Sequence, residues 1–178
     1  MEKDMFLNYQ NLTIRNARPE DAPQLACWWN DGAVMAHAGF PLGLGITAEQ
    51  IAASLCQDTD DTCRRLILEA DSVPIGEMNY RNLQDGSAEI GIKICEASCQ
   101  NKGYGTTFLK MLIRELFDTG YRKIVLDTNT NNHRAQHTYE KLGFRKIGVR
   151  ENSWQDQLGT WQSAVDYILM PEDFHWNI

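Results

Sequence analysis

Two patterns of hydrophobic positions dominate the chain, one alternating and one helical. Apolar and polar residues alternate from Ala88 to Cys95, which predicts a half-buried strand. From Phe108 to Phe117 the apolar positions recur every three or four residues, which predicts an amphipathic helix over residues 104–118. A polar loop containing two glycines joins the strand to the helix. The other predicted elements can be placed around this strand–loop–helix unit.

Shorter patterns predict the elements that precede this unit. Strands are expected at residues 12–15, 65–69 and 73–82, and helices at residues 19–29 and 47–56. Thr47 and Gln50 form a capping-box pattern at the start of the second helix. Residues 33–46 are apolar but contain three glycines and a proline, so we expect a packed loop there and no regular helix.

The pattern after the unit predicts a second helix and the last strands. Strands are expected at residues 123–127, 144–149 and 164–170, a helix at residues 133–142 that ends at Gly143, and a polar segment at residues 150–161. Since a helix connects the strands at residues 88–95 and 123–127, these two strands should be parallel. The strands before the glycine loop should form antiparallel hairpins. Residues 1–178 are therefore expected to form a single domain of mixed α/β (α+β) class.

Composition and charge exclude several classes of protein. A net charge of −7 without a Lys/Arg run argues against a nucleic-acid partner and is compatible with a cationic substrate. The first ten residues have no apolar core and no run of eighteen apolar residues occurs, so neither a signal peptide nor a membrane partner is expected. Five cysteines without C-x-x-C spacing favour free thiols and a cytoplasmic location. No metal is expected, because His133 and His137 lack the glutamate of a zinc-binding H-E-x-x-H motif.

The loop before the long helix has the composition of a phosphate site. It consists of Gln100, Asn101, Lys102, Gly103, Tyr104, Gly105 and Thr106. Amides at a helix start have no intrahelical acceptor and lie at the positive end of the helix dipole, so they suit an anion. The dinucleotide fingerprint and the P-loop do not fit, because Phe108 replaces the third glycine of the former and no Lys-Ser or Lys-Thr follows the glycines. From these residues alone, a phosphate cradle and a plain tight turn both remain open.

Two motifs together resemble the GCN5-related N-acetyltransferase (GNAT) family. Gln100 to Gly105 fit the pattern Q/R-x-x-G-x-G/A, and Asn132 to Phe144 fit N-x-x-A-x-x-x-Y-E-K-x-G-F at every named position. The motifs occur in the family's order and the resemblance covers about residues 73–150. It implies the acyl-CoA N-acyltransferase fold, a twisted and mostly antiparallel sheet of about seven strands flanked by about four helices.

The resemblance also implies an activity. A GNAT enzyme moves an acetyl group from acetyl-CoA directly to a primary amine. The subgroup that this chain most resembles includes ribosomal-protein, spermidine and aminoglycoside acetyltransferases, so the acceptor would be a small polyamine, an aminoglycoside-like molecule or a protein N-terminal α-amine. The enzyme would be a monomer or a homodimer. A non-catalytic acyl-CoA-binding regulatory domain is the alternative hypothesis, and a nucleotide-binding domain is a third.

The resemblance assigns the binding of acetyl-CoA to two regions. The main chain of the loop from Gln100 to Thr106 would hold the pyrophosphate, and the side chain of Lys102 would reach a phosphate. Asn132 would lie near the pantetheine arm, where it is also a candidate helix N-cap. Backbone amides of Ile92, Lys93 and Ile94 would polarise the acetyl carbonyl.

Two residues are implied as catalytic groups. Glu89, eleven positions before Gln100, would be the general base and would need partial burial, with Glu77 as an alternative. Alternatively, Glu89 is a surface carboxylate with a purely structural role, paired with Lys93 or with a residue of the neighbouring strand. Tyr139 would return a proton to the thiolate. Alternatively, its ring only fills space on one face of an amphipathic helix.

The acceptor amine is expected to contact the segments that least resemble the family, which are residues 33–46, the first helix, the region of Tyr80 and residues 150–161. Aromatic side chains there are candidates for cation–π contact, although core packing explains many of them equally well. These candidates are Trp28, Trp29, Phe40, Tyr80 and Trp154.

Overall fold

Eight strands and five α-helices make up the computed structural model, which describes residues 4–176. The strands are β1 (Phe6–Tyr9), β2 (Leu12–Asn16), β3 (Cys63–Ala70), β4 (Val73–Asn82), β5 (Ser87–Ile94), β6 (Lys123–Asn129), β7 (Arg145–Gln155) and β8 (Trp161–Leu169). The helices are α1 (Ala22–Trp29), α2 (Gly32–Met35), α3 (Ala48–Leu55), α4 (Tyr104–Asp118) and α5 (His133–Lys141). All eight strands form one sheet in the order β1-β2-β3-β4-β5-β6-β8-β7. Only β5 and β6 are parallel neighbours among the described strands.

The two faces of the sheet are covered differently. Apolar positions of α4 such as Phe108 and Leu112 are fully buried against every second residue of the strands, for example Met78, and α5 contributes Tyr139 to the same core. On the opposite face α1 and α3 form a smaller core around Ile67 of β3. Charged side chains occupy much of the remaining part of that face, along β5, β6 and β8.

A gap separates the two parallel strands in the middle of the sheet. β5 pairs with β6 only from Ser87 to Glu89, opposite residues 123–125. Beyond that point β5 stays with β4 as far as Ile94, and β6 stays with β8 as far as Asn129. The two strands therefore diverge toward the end of β5 from which the glycine loop leaves.

Several predictions from the sequence are confirmed. The bounds of α4 and β4 agree with the expected ranges, and β5 and β6 are parallel. Thr47 and Gln50 form the expected capping box at α3. Gly143 follows α5 with φ of +100°, and a Cβ there would lie 2.1 Å from the carbonyl oxygen of Asp173, so only glycine fits.

Three expectations about the elements were wrong. β1 is an additional edge strand. The single-turn helix α2 overlaps the start of residues 33–46, and Asp31 caps it by accepting a hydrogen bond from the amide of Ala33 (2.8 Å). The polar segment at residues 150–161 is largely strand, because β7 continues to Gln155 and forms a long hairpin with β8. The sheet thus has eight strands and five helices beside it, slightly more than the sequence predicted. No helix within residues 4–176 is long and apolar enough to cross a bilayer.

Candidate active site

The loop before α4 presents a row of unpaired backbone amides. Asn101 and Gly103 have positive φ angles of +61° and +79°, which turn the chain sharply into the helix. No amide in residues 101–106 has a hydrogen-bond acceptor within the described part of the chain. A Cβ added to Gly103 would meet no atom within 4 Å, so the turn borders open space at this residue. The loop has the donors and the room that a pyrophosphate requires.

Gln100 fastens this loop to the strand. Its side-chain Nε2 donates a hydrogen bond to the carbonyl oxygen of Ile94 at 3.0 Å. Lys102 is exposed at the rim, and the ring of Tyr104 packs against the α4 core. The predicted phosphate-binding residues therefore lie together at the open end of the gap.

The edge of β5 supplies two further backbone donors. The amide of Cys95 donates to Ile75, on the β4 side of the strand. Because successive residues of an antiparallel strand point their amides to alternate sides, the amides of Ile92 and Ile94 face the gap and that of Lys93 faces β4. Of the three predicted carbonyl-polarising amides, Ile92 and Ile94 have the required direction.

A cavity of about 360 Å³ continues from the gap. Its wall on the α4 and α5 side includes Ile90, Ile92, Asn132 and Tyr139. Its wall on the other side includes His37, Lys93, Asp127, Asn129, Trp154 and Ala164. The cavity is therefore lined by residues from both faces of the sheet.

Tyr139 places its hydroxyl at this cavity. The side chain is buried, with its ring centroid 5.8 Å from that of Phe144 and 5.9 Å from that of Tyr167. The hydroxyl has no hydrogen-bond partner within residues 4–176. Burial, and to a smaller extent the negative charge of Asp127, raises the pKa of Tyr139 to about 12. The phenol therefore remains protonated and able to donate.

Asn132 has a structural role and still faces the cavity. Its Oδ1 accepts a hydrogen bond from the amide of Ala135 at 3.2 Å, which caps the N-terminus of α5. The residue also lines the cavity beside Tyr139. One side chain can thus hold the helix that carries Tyr139 and offer its amide group to a ligand.

Glu89 lies at the closed end of the gap. Its Oε2 accepts a hydrogen bond from Nη2 of Arg81 at 2.7 Å, and 43% of its side chain is exposed. The carboxylate is therefore less buried than expected for the base, and it is paired with the neighbouring strand. Glu77, the alternative base, accepts hydrogen bonds from Nε1 of Trp29 (2.8 Å) and from Lys93 (3.4 Å).

Only one of the five predicted substrate-binding aromatics lines the cavity, and that one is Trp154. Trp28 is buried in the α1–α3 core, where its Nε1 donates to Glu96 at 2.7 Å. Tyr80 is buried on the α4 face and donates its hydroxyl hydrogen to Asp60, while Trp29 and Phe40 lie outside the cavity wall. Tyr80 also lines a separate cavity of about 470 Å³ beside Asp60 and Tyr121.

The cavity also contains residues that the sequence analysis did not single out. They are His37, the side chain of Lys93, Asp127 and Asn129. The parallel pairing of β5 and β6 was expected, and ligands bind at the carboxyl ends of such strands. That rule would point to Asp127 and Asn129, and His37 lies in residues 33–46, one of the segments expected to form the acceptor pocket.

Gly39 allows the β7–β8 hairpin to close the cavity. A Cβ on this residue would lie 2.5 Å from the Trp154 ring, and its φ is +95°. We expect Gly39→Ala to lower the free energy of unfolding by about 1–3 kcal/mol and to displace Trp154. Thermal unfolding and tryptophan fluorescence measure both effects. Gly45→Ala is the matched control, since Gly45 also has a positive φ but open space around it. Equal effects in the two variants would contradict the contact.

The acetyltransferase (GNAT) domain family matches residues 11–145. An uncharacterized protein from Methanocaldococcus jannaschii is 33% identical over 81 residues, which are 45% of this chain and only 17% of that protein, so the chain spans a small part of this relative.

Solved structures agree with the family match. Spermidine N-acetyltransferase from Vibrio cholerae, in complex with CoA and spermine, has a TM-score of 0.82 at 22% identity, covering 92% of this chain and 97% of that one. Ribosomal-protein-alanine N-acetyltransferase from Brucella melitensis has a TM-score of 0.75 at 20% identity, covering 88% and 98%. These likenesses show a shared fold. Because the family match covers more than half of the sequence, the chain belongs to the GNAT acetyltransferase family.

Proposed function

We propose that this protein is an N-acetyltransferase that moves an acetyl group from acetyl-CoA directly to a primary amine. The observation that carries the proposal is the gap between β5 and β6, which joins the unpaired amides of residues 101–106 to a cavity containing Tyr139. The family membership and the CoA in the Vibrio cholerae spermidine acetyltransferase support the same function.

Backbone groups would hold and activate the donor. The amides of residues 101–106 would bind the pyrophosphate, with Asn132 further along the gap. When bound, acetyl-CoA supplies an acetyl thioester. The amides of Ile92 and Ile94 would donate hydrogen bonds to the oxygen on which negative charge develops, at no cost of reorganisation because the strand already holds them.

The acceptor must lose a proton before it reacts. For a lysine-like amine, deprotonation at pH 7 costs about 4.6 kcal/mol, whereas an α-amine near pKa 7.7 costs only about 1 kcal/mol. We propose Glu89 as the group that removes this proton, directly or through water, with Glu77 as the alternative. Arg81 would orient Glu89 through the hydrogen bond that it donates to Oε2.

Tyr139 would complete the reaction. Its hydroxyl has no protein partner within residues 4–176 and faces the cavity, so it is free to protonate the departing thiolate. Because the pKa of this phenol is raised to about 12, its proton is retained at pH values where an ordinary tyrosine would lose it.

The acceptor is proposed to be a small polyamine or a protein N-terminus. The net charge of −7 favours a cationic molecule, and the spermidine and ribosomal-protein-alanine acetyltransferases with this fold act on such amines. An amine panel with spermidine, an aminoglycoside and an alanine-initiated peptide tests this directly. We expect CoA thiol release with at least one of them. CoA binding without release for any amine would favour the non-catalytic alternative.

The pH dependence of the same reaction gives a separate prediction. We expect kcat to show no loss between pH 8 and about 10, because Tyr139 remains protonated over this range. A fall in kcat near pH 9 would contradict the role of Tyr139 as acid. A rate that rises steeply up to about pH 9 would indicate that the amine loses its proton without an effective base in the protein.

A further inference from the structure

Asp127 lines the cavity beside Tyr139, and the steps proposed above assign no role to its carboxylate. It lies on β6 two residues beyond Val125, the last residue of β6 that pairs with β5. Leu126 is buried in the α4 core, so strand alternation directs the side chain of Asp127 to the opposite, acceptor-facing side. There it lines the cavity together with Tyr139, and its charge acts on the Tyr139 phenol.

Arg150 holds Asp127 by one oxygen only. Nη2 of Arg150 donates to Oδ2 of Asp127 at 2.6 Å, while Nε and Nη2 bind both oxygens of Asp166 at 2.8 Å in their shortest contacts. Asp166 is directly opposite Asp127 in the β6–β8 ladder, which places both carboxylates within reach of one guanidinium. The second oxygen of Asp127, Oδ1, has no hydrogen-bond partner within residues 4–176.

The cluster of Asp127, Asp166 and Arg150 has a net negative charge that one cation would neutralise. Two carboxylates and one guanidinium sum to −1, so the Asp127–Asp166–Arg150 group remains negative. The other ion pairs on this face are balanced: Glu89 is paired with Arg81, and Lys93 lies 3.4 Å from Glu77. An ammonium group entering the cavity therefore meets its uncompensated negative charge at Asp127.

We propose that Asp127 binds the ammonium group of the acceptor through Oδ1, and that Arg150 is a positioning residue that aims this oxygen into the cavity. The inference rests on the proposed function and adds to it the group that recognises the acceptor. It assigns substrate recognition to Asp127 and leaves proton removal to Glu89 or Glu77. The recognised chemistry is a single ammonium, as at the end of a polyamine or at a peptide N-terminus.

The first test is Asp127→Asn, assayed with acetyl-CoA and either spermidine or an alanine-initiated peptide. The asparagine retains an oxygen for Arg150, so the cluster and the fold are preserved. Losing one charge-assisted contact should raise KM for the amine about tenfold and leave the affinity for CoA unchanged. Calorimetric titration of the same amine into the CoA-loaded protein should show the same loss. Asp118→Asn is the control, because Asp118 is an exposed carboxylate on α4 paired with Arg114.

A second variant separates positioning from general stability. Arg150→Gln removes the group that aims Oδ1, so KM for the amine should rise while the affinity for CoA and the thermal stability stay close to those of the unsubstituted protein. Arg150→Lys, which keeps a cation beside Asp127, should recover part of the amine affinity. Unchanged amine affinity in Arg150→Gln would contradict the positioning role.

The outcomes distinguish this inference from the proposed function. If the unsubstituted protein releases no thiol with any amine of the panel, the proposed function fails and the inference fails with it. If the unsubstituted protein is active and Asp127→Asn has an unchanged KM and unchanged amine binding, the inference alone is overturned.

Discussion

Gly103→Val is expected to weaken CoA binding by at least about 100-fold. Valine is strained at the φ of +79° that Gly103 adopts, so the turn into α4 must change and its amides lose their alignment. The added side chain would also project from the turn into space that no other residue fills. Losing two charge-assisted hydrogen bonds of about 1.5 kcal/mol each accounts for a change of this size. Isothermal titration with CoA measures it.

Gly120→Val is the matched control for this experiment. Gly120 follows the other end of α4 and has φ of +108°, and a Cβ added to it would likewise meet no atom within 4 Å. Both variants should lose a similar amount of stability from backbone strain, and only Gly103→Val should lose CoA affinity. Retained affinity in Gly103→Val would refute the phosphate cradle.

Tyr139→Phe is expected to lower kcat on the order of 100-fold with little change in CoA affinity. The phenylalanine keeps the ring contacts with Phe144 and Tyr167, and no hydrogen bond is lost because the hydroxyl has no partner within residues 4–176. The protein should therefore fold normally and bind CoA. Steady-state kinetics together with CoA titration separate the two effects.

A neighbouring tyrosine provides the comparison. Tyr167→Phe also removes one hydroxyl from the same aromatic group, but that hydroxyl donates to Glu140 at 2.9 Å. We expect a small loss of stability and an unchanged kcat. Equal kcat values for Tyr139→Phe and the unsubstituted protein would remove Tyr139 from the mechanism.

The parts of the fold that the sequence predicted well are those with strong local signals. α4 combines a long apolar periodicity with a glycine start, and Gly143 ends α5 with the backbone angle that its residue type favours. β1 has only four residues and no deeply buried side chain, so its pattern is weak and its position depends on pairing with β2. Most positions of β7 are exposed and polar, so the sequence lacks the apolar alternation that would have indicated the full length of this strand.

The candidate site divides in the same way. The loop residues and Tyr139 belong to contiguous motifs, so their place could be predicted. Trp28 and Tyr80 were expected at the acceptor, but an aromatic residue type does not reveal whether its ring packs in the core, and both rings do. Asp127 was overlooked because its exposure to the cavity depends on where β5 and β6 separate, a property of long-range pairing.

A crystal structure with CoA bound is the most direct test of the central claim. We expect the pyrophosphate oxygens to lie within hydrogen-bond distance of the backbone amides of residues 101–106, with the pantetheine arm in the gap between β5 and β6. Phosphates bound at any other part of the molecule would contradict it.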